Sequence, residues 1–212
     1  MKDRKIVLAS KSPRRKRLLE QIGLEFEIRE SEYEEDMEAK SDPFELCKFL
    51  ALGKGQDVAR HFDDAIIISA DTFAFLPSAS PATNGARAND TIFNNKFIGQ
   101  PKDEEDAKNI LRNFSGQEHS VVTGFAVIDT KSGKIINDYG EAKVKFRNLS
   151  DEEIDNYIAT GEPMDMAGAY GLMNKGAVLI ESIEGDFYSV IGLPLAKVYV
   201  ALKDMRVDLL KY

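Results

Sequence analysis

The chain holds a single cysteine, Cys47, which excludes an intramolecular disulfide and fits a reducing, cytoplasmic setting. It is short of positive charge. Its 28 Lys and Arg face 36 Asp and Glu, for a net charge of −8. A general DNA or RNA binder needs a basic face to displace counterions, so no nucleic-acid partner is expected. The same balance leaves room for a nucleotide, which asks only for a small local basic pocket. Long apolar runs are missing too. Ile6-Val7-Leu8-Ala9 is shorter than the apolar core of a signal peptide. Nothing approaches the roughly 20 apolar residues of a membrane span, so no membrane partner is expected. No Cys/His metal spacing occurs, nor a glycine-rich Walker loop or dinucleotide fingerprint, and a serine-hydrolase triad lacks support.

What is there reads as an ordinary globular chain. Its 212 residues are 43% hydrophobic, enough for one sizeable core or one α/β domain with two lobes. Lys5 to Ala9 reads as a short buried strand. Ser12 and Pro13 then open a helix that runs to about Ile22 and stops at Gly23. Leu24, Phe26 and Ile28 alternate with Glu25 and Glu27 as a second strand, followed by an acidic loop, Glu30 to Asp36. A helix over 43–60 is entered at Pro43 after Asp42, with Leu46, Phe49, Leu50 and Val58 as its stripe. Residues 65–70 form a near-continuous apolar run, a buried strand expected to end at Asp71-Thr72.

Residues 77–92 read as a long irregular loop, and 93–97 as a tight hairpin turn. A helix is expected over 103–113, then two strands at about 118–130 and 134–147 joined at Lys131-Ser132-Gly133. Ser150-Asp151-Glu152-Glu153 is a capping box opening another helix. A strand at 177–183 and a helix over 194–205 close the chain. With no repeat and no linker, the pattern points to one domain over 1–212, α/β or α+β with a mixed sheet.

Four places could carry chemistry. Ser10, Ser12, Arg14 and Arg15 lie where a strand gives way to a helix. Unpaired N–H groups, two hydroxyls and two guanidinium groups there make an anion site suited to phosphate. The same residues would serve equally as a plain helix cap beside a solvated basic cluster. Asp71 stands beyond the most apolar strand, where ligands of open α/β sheets gather and a carboxylate can hold a metal or accept a proton. Taken alone it reads better as the cap of a turn. Glu32, Glu34, Glu35 and Asp36 could hold a hard cation, although such a loop by itself is usually solvated. Lys54 sits between Gly53 and Gly55 inside a helix, where each glycine costs up to about 1 kcal/mol. Something approaches closely there, or the helix ends early. Cys47 reads as a small buried hydrophobe, and His61 as a residue near a helix C-terminus.

Taken in order, these segments resemble the Maf family of nucleotide pyrophosphatases and septum-formation inhibitors. The resemblance starts at Leu8-Ala9-Ser10-Lys11-Ser12-Pro13-Arg14-Arg15. It runs through Glu34-Glu35, Leu52-Gly53-Lys54, Ser69-Ala70-Asp71-Thr72 and Ser115-Gly116-Gln117-Glu118-His119-Ser120-Val121. It ends with Asp165-Met166-Ala167-Gly168-Ala169-Tyr170-Gly171, Glu184-Gly185-Asp186 and Val190 to Leu195. It implies an α/β fold with a two-lobed mixed β-sheet and flanking helices around a central cleft, similar to inosine triphosphate pyrophosphatases.

It also implies hydrolysis of a nucleoside triphosphate to the monophosphate and pyrophosphate, assisted by a divalent metal (Mg, Mn or Co). Carried over, Ser10, Ser12, Arg15 and Lys54 hold the triphosphate. Glu35 and Asp71 serve the metal and the attacking water, with Asp71 the general base. Arg14 resembles the branch acting on thymidine and uridine triphosphates. Family members are often homodimers. Three positions depart from the pattern. Gln100 stands where a lysine is usual, and is kept as a substrate-binding candidate. Met166 replaces a lysine, and Met173 replaces the glutamine of the pyrimidine branch. Those departures keep a second reading open, a nucleotide-binding regulatory protein linked to cell division with little turnover.

Overall fold

A computed structural model describes residues 4–75 and 97–210. The loop expected at 77–92 lies outside the described residues, as does the hairpin turn at 93–97 apart from Phe97.

Among the described residues, six strands form one sheet in the order β2-β1-β3-β4-β5-β6. They are β1 (Lys5–Leu8), β2 (Glu27–Ile28), β3 (Ala65–Phe75), β4 (Glu118–Asp129), β5 (Ile135–Phe146) and β6 (Ile180–Gly185). β1 pairs in parallel with both β2 and β3, while β5 and β6 are antiparallel. The sheet is therefore mixed and the fold α/β. The helices are α1 (Pro13–Gln21), α2 (Pro43–Ala59), α3 (Glu104–Phe114), α4 (Asp151–Ile158), α5 (Phe187–Ile191) and α6 (Leu195–Asp204).

Two compact units share these elements. The first is built from Met1–Thr72, Val122–Gly140 and Ile191–Tyr212, the second from Phe73–Val121 and Glu141–Val190. In the first, Val7, Ala65, Ile67, Ala126 and Ile128 of three neighbouring strands, with Ala9 just beyond β1, meet Val58 of α2. Their burial, at about 25 cal/mol per Å² of apolar surface, is what seats α2 on the sheet. Glycine sets how closely it seats. A Cβ on Gly55 would stand 2.5 Å from Ser69 Oγ and 2.9 Å from Ile128 Cδ1, and one on Gly124 of β4 would run into the Cys47 backbone. Ser69 Oγ then donates to the Ala51 carbonyl at 2.6 Å, a buried hydroxyl satisfied by the helix it supports.

The helix starts follow their sequence signals. Ser12 caps α1 with Pro13 in the first turn, Asp42 caps α2, and Ser150 and Glu153 form a reciprocal capping box on α4. Four expectations are corrected. Only Glu27 and Ile28 of the second strand pair, and Ile28 is exposed. β3 does not stop at Asp71 but continues to Phe75, because Phe73 and Ala74 are themselves buried and Ala74 bridges to Ile98. Phe49 of the α2 stripe is 37% exposed. The segment at 177–183 begins as a 3-10 turn over Lys175–Leu179 and becomes β6 only at Ile180. Cys47 is fully buried, as expected of a small hydrophobe.

The second unit has an aromatic centre. His119 is fully buried, stacks face to face on Phe114 with centroids 3.9 Å apart, and its Nε2 lies 2.9 Å from the Tyr170 hydroxyl. Its Nδ1 has no partner among the described residues. Burial pulls the imidazole down to about 3, so the ring is neutral in the fold. The unfolded chain binds a proton there near pH 6.5, and the folded chain does so only near pH 3. His119 therefore leaves stability untouched above about pH 6.5 and removes it as pH falls from there towards 3, by up to about 1.4 kcal/mol per pH unit. Melting curves between pH 7 and 5 should show His119→Gln losing less stability on acidification than the parent. Equal slopes would refute the assignment.

Candidate active site

The first unit gathers the charged candidates on two neighbouring residues of β3. Successive strand residues point to opposite faces. Asp71 shares the face of Ser69 and turns towards α2, whereas Thr72 turns towards α1. Lys54 of α2 meets Asp71 Oδ1 at 2.5 Å and Glu35 Oε1 at 2.6 Å. The Lys54 and Asp71 side chains are only 15% and 10% exposed and Glu35 is 43% exposed, so the pairs differ in solvent screening. One ammonium thus bridges two carboxylates that would otherwise repel each other. It takes one oxygen from each and leaves each a second.

The glycines flanking Lys54 account for this meeting. Gly55 lets β3 approach and so fixes Asp71, two residues beyond Ser69. A Cβ on Gly53 would collide with the Tyr33 ring. Gly53 thereby admits the loop that brings Glu35.

On the other side, Arg15 spreads its guanidinium over three partners. Nε donates to the Gly192 carbonyl at 2.8 Å, Nη1 to Ser10 Oγ at 3.2 Å and Nη2 to Thr72 Oγ1 at 3.1 Å. Thr72 Oγ1 lies 2.8 Å from the buried Thr123 Oγ1 on β4. Gly192 adopts φ +123, a conformation that favours glycine. Burial pulls the Arg15 guanidinium below its ordinary value, opposed chiefly by the Asp71 charge, and arginine stays protonated in proteins. Ser10 Oγ also accepts from the Ser12 amide at 3.2 Å, and Ser12 Oγ accepts from the Arg15 amide at 3.5 Å. Arg14, half-buried beside Arg15 on α1, adds a second positive charge that opposes that of Arg15.

Ser10, Ser12, Arg15, Thr72, Asp71, Lys54 and Glu35 therefore form one connected run through the Asp71–Thr72 peptide. It joins a helix N-terminus and a fixed cation, which suit an anion, to two carboxylates with oxygens to spare. The sequence motif Ser-x-Ser-Pro-Arg-Arg and the run Ser-Ala-Asp-Thr are its framework. Residues 5–205 of the chain match the family described as Maf-like protein. It belongs to that family.

A dTTP/UTP pyrophosphatase of Alkaliphilus metalliredigens is 42% identical over 208 residues, covering 97% of this chain and 99% of its own length. One from Dictyoglomus turgidum is 42% identical over 98% and 99%, and one from Aquifex aeolicus 42% identical over 95% and 96%. A solved structure of a HAM1 protein from Coxiella burnetii matches with a TM-score of 0.47 at 13% identity, over 94% of this chain and 98% of that one, a likeness that speaks to neither activity nor substrate.

Among the Maf-like departures, Gln100 belongs to the second unit, where its amide donates to the Asp165 carbonyl at 3.2 Å. Met166 is buried, with its sulfur against Gly171, and Met173 is half-buried. No group of three or more His, Cys, Asp and Glu among the described residues is placed to hold a metal. Glu35 and Asp71 supply two carboxylates and no soft donor. That set fits a hard cation of the magnesium kind, which needs one or two carboxylates when phosphate and water fill its remaining positions. No helix among the described residues is long and apolar enough to cross a membrane.

Thr72, Thr123, Gly192 and Tyr33 contribute to this geometry although none of them is a sequence candidate for chemistry. The glycines on either side of Lys54 are the signal for the Tyr33 contact, since close approach is what they permit.

Proposed function

We propose that this chain hydrolyses a nucleoside triphosphate, dTTP, UTP or a modified pyrimidine nucleotide, to the monophosphate and pyrophosphate. The observation that supports this best is Lys54 held between Glu35 and Asp71, one residue along β3 from the Arg15–Thr72 contact. In this reading Arg15, Lys54, Ser10 and Ser12 hold the phosphates, with Arg14 contributing to the choice of base and Gln100 to substrate binding. Asp71 takes the proton from the attacking water. Glu35 and Asp71 would hold a divalent cation (Mg, Mn or Co), which when bound neutralises phosphate charge. Positioning and charge neutralisation are what phosphoanhydride hydrolysis demands of a protein.

The reading treats residues 1–212 as one domain, because each compact unit is made of interleaved stretches and neither is a contiguous piece. It places the protein in the cytoplasm, and makes it a homodimer like many of its family. The departures Gln100, Met166 and Met173 favour a second reading, a nucleotide-binding regulatory protein linked to cell division with little turnover.

Pyrophosphate release from a panel of standard and modified triphosphates, with magnesium, manganese or cobalt, separates the two. Metal-dependent release, fastest with a pyrimidine, is the expected result. Folded protein that releases none, yet melts at a higher temperature with nucleotide, would establish the second reading in its place.

A further inference from the structure

We propose that Asp57 is a positioning residue for Glu35, holding the acidic loop on α2 so that Glu35 stays on Lys54; this rests on the reading of Glu35 and Lys54 as parts of a hydrolytic site. Residues 29–36 have no helical or strand structure of their own. Five of the seven side chains from Glu30 to Asp36 are acidic and repel one another. Something outside the loop must set its path.

Asp57 Oδ2 accepts from Ser31 Oγ at 2.9 Å and from the Glu32 amide at 2.8 Å. Ser31 Oγ in turn accepts from the Tyr33 amide at 3.1 Å. The Tyr33 ring then lies on Gly53, one helical turn before Asp57 on the same face of α2. Three consecutive residues of the loop are thus fixed to one strip of the helix, and Glu35 follows two residues later beside Lys54. Asp57 captures the loop through neutral donors, a hydroxyl and an amide, which is how a carboxylate can hold an acidic segment. Those same donors hold its carboxyl below the usual range.

Removing the acceptor should free the loop without touching the reacting groups. In Asp57→Ala, the amides of residues 30–36 should exchange with solvent faster. Lys54, no longer covered by Glu35, should react faster with an amine-specific acylating reagent. Turnover should fall roughly tenfold in kcat with KM moving less, in line with the sensitivity of positioned groups to small displacements. Asp57→Asn, whose amide oxygen can accept both bonds, should behave as the parent in all three. Ser31→Ala removes the hydroxyl from the loop side, and should shift the three readouts in the direction of Asp57→Ala.

Folded Asp57→Ala with parental exchange would overturn the proposal, as would faster exchange with unchanged Lys54 labelling or unchanged kcat. Asp57→Asn as impaired as Asp57→Ala would overturn it too, by making charge the active property. A parent inert towards every triphosphate would remove the functional reading instead, and exchange and labelling would still decide whether Asp57 holds Glu35 in place.

Discussion

Asp71→Asn should lower kcat by roughly two to four orders of magnitude, the range associated with loss of a positioned general base. The substitution is nearly isosteric. Its amide oxygen can still accept from Lys54, which keeps Glu35 at 2.6 Å. Stability should therefore fall by no more than about 2 kcal/mol, the scale of one weakened charge-assisted hydrogen bond. Single-turnover measurements together with a melting curve check both halves. A folded variant with parental turnover would move the proton acceptor elsewhere.

Arg15→Lys should lower kcat/KM by roughly 30- to 150-fold, about 2–3 kcal/mol of transition-state stabilisation. Charge is preserved, so this substitution isolates geometry. The planar fork reaches the Gly192 carbonyl, Ser10 and Thr72 at once. A single ammonium on a flexible stem cannot span the three and also face a phosphate bidentately. Most of the loss should appear in KM, because phosphate contacts exist before the reaction begins. Kinetics within threefold of the parent would show that Arg15 serves the fold alone.

How much of this was legible beforehand differs residue by residue. The start of α1 could be read outright, because capping and first-turn proline are local rules that hold within four residues. β3 was found but ended too soon. A strand read by its apolar run stops at the first charge, and Asp71 is a charge that the fold tolerates only because Lys54 answers it. The glycines around Lys54 were visible as an oddity whose partners were not. Asp57 looks unremarkable in sequence, and nothing local to Thr72 or Thr123 marks either as a partner of Arg15 or of the other. Their roles come from contacts such as Arg15 to Thr72, which are 57 residues apart along the chain and have no local signature. The resemblance to a family supplied Glu35 and Asp71 as a pair. Their common partner, and the strand face that separates Asp71 from Thr72, are set by the fold alone.

The pair of glycines that brackets Lys54 also bears on how this site can change over generations. Each neighbour of the lysine is occupied from outside, by a tyrosine ring on one side and by a strand hydroxyl and an isoleucine on the other. Side chains larger than hydrogen are thus shut out at both places for reasons unrelated to chemistry. The three residues 53–55 would therefore be retained together in descendants of this chain, although only the middle one carries a reactive group. Conservation there would mark a fitting tolerance on either side of a single functional atom.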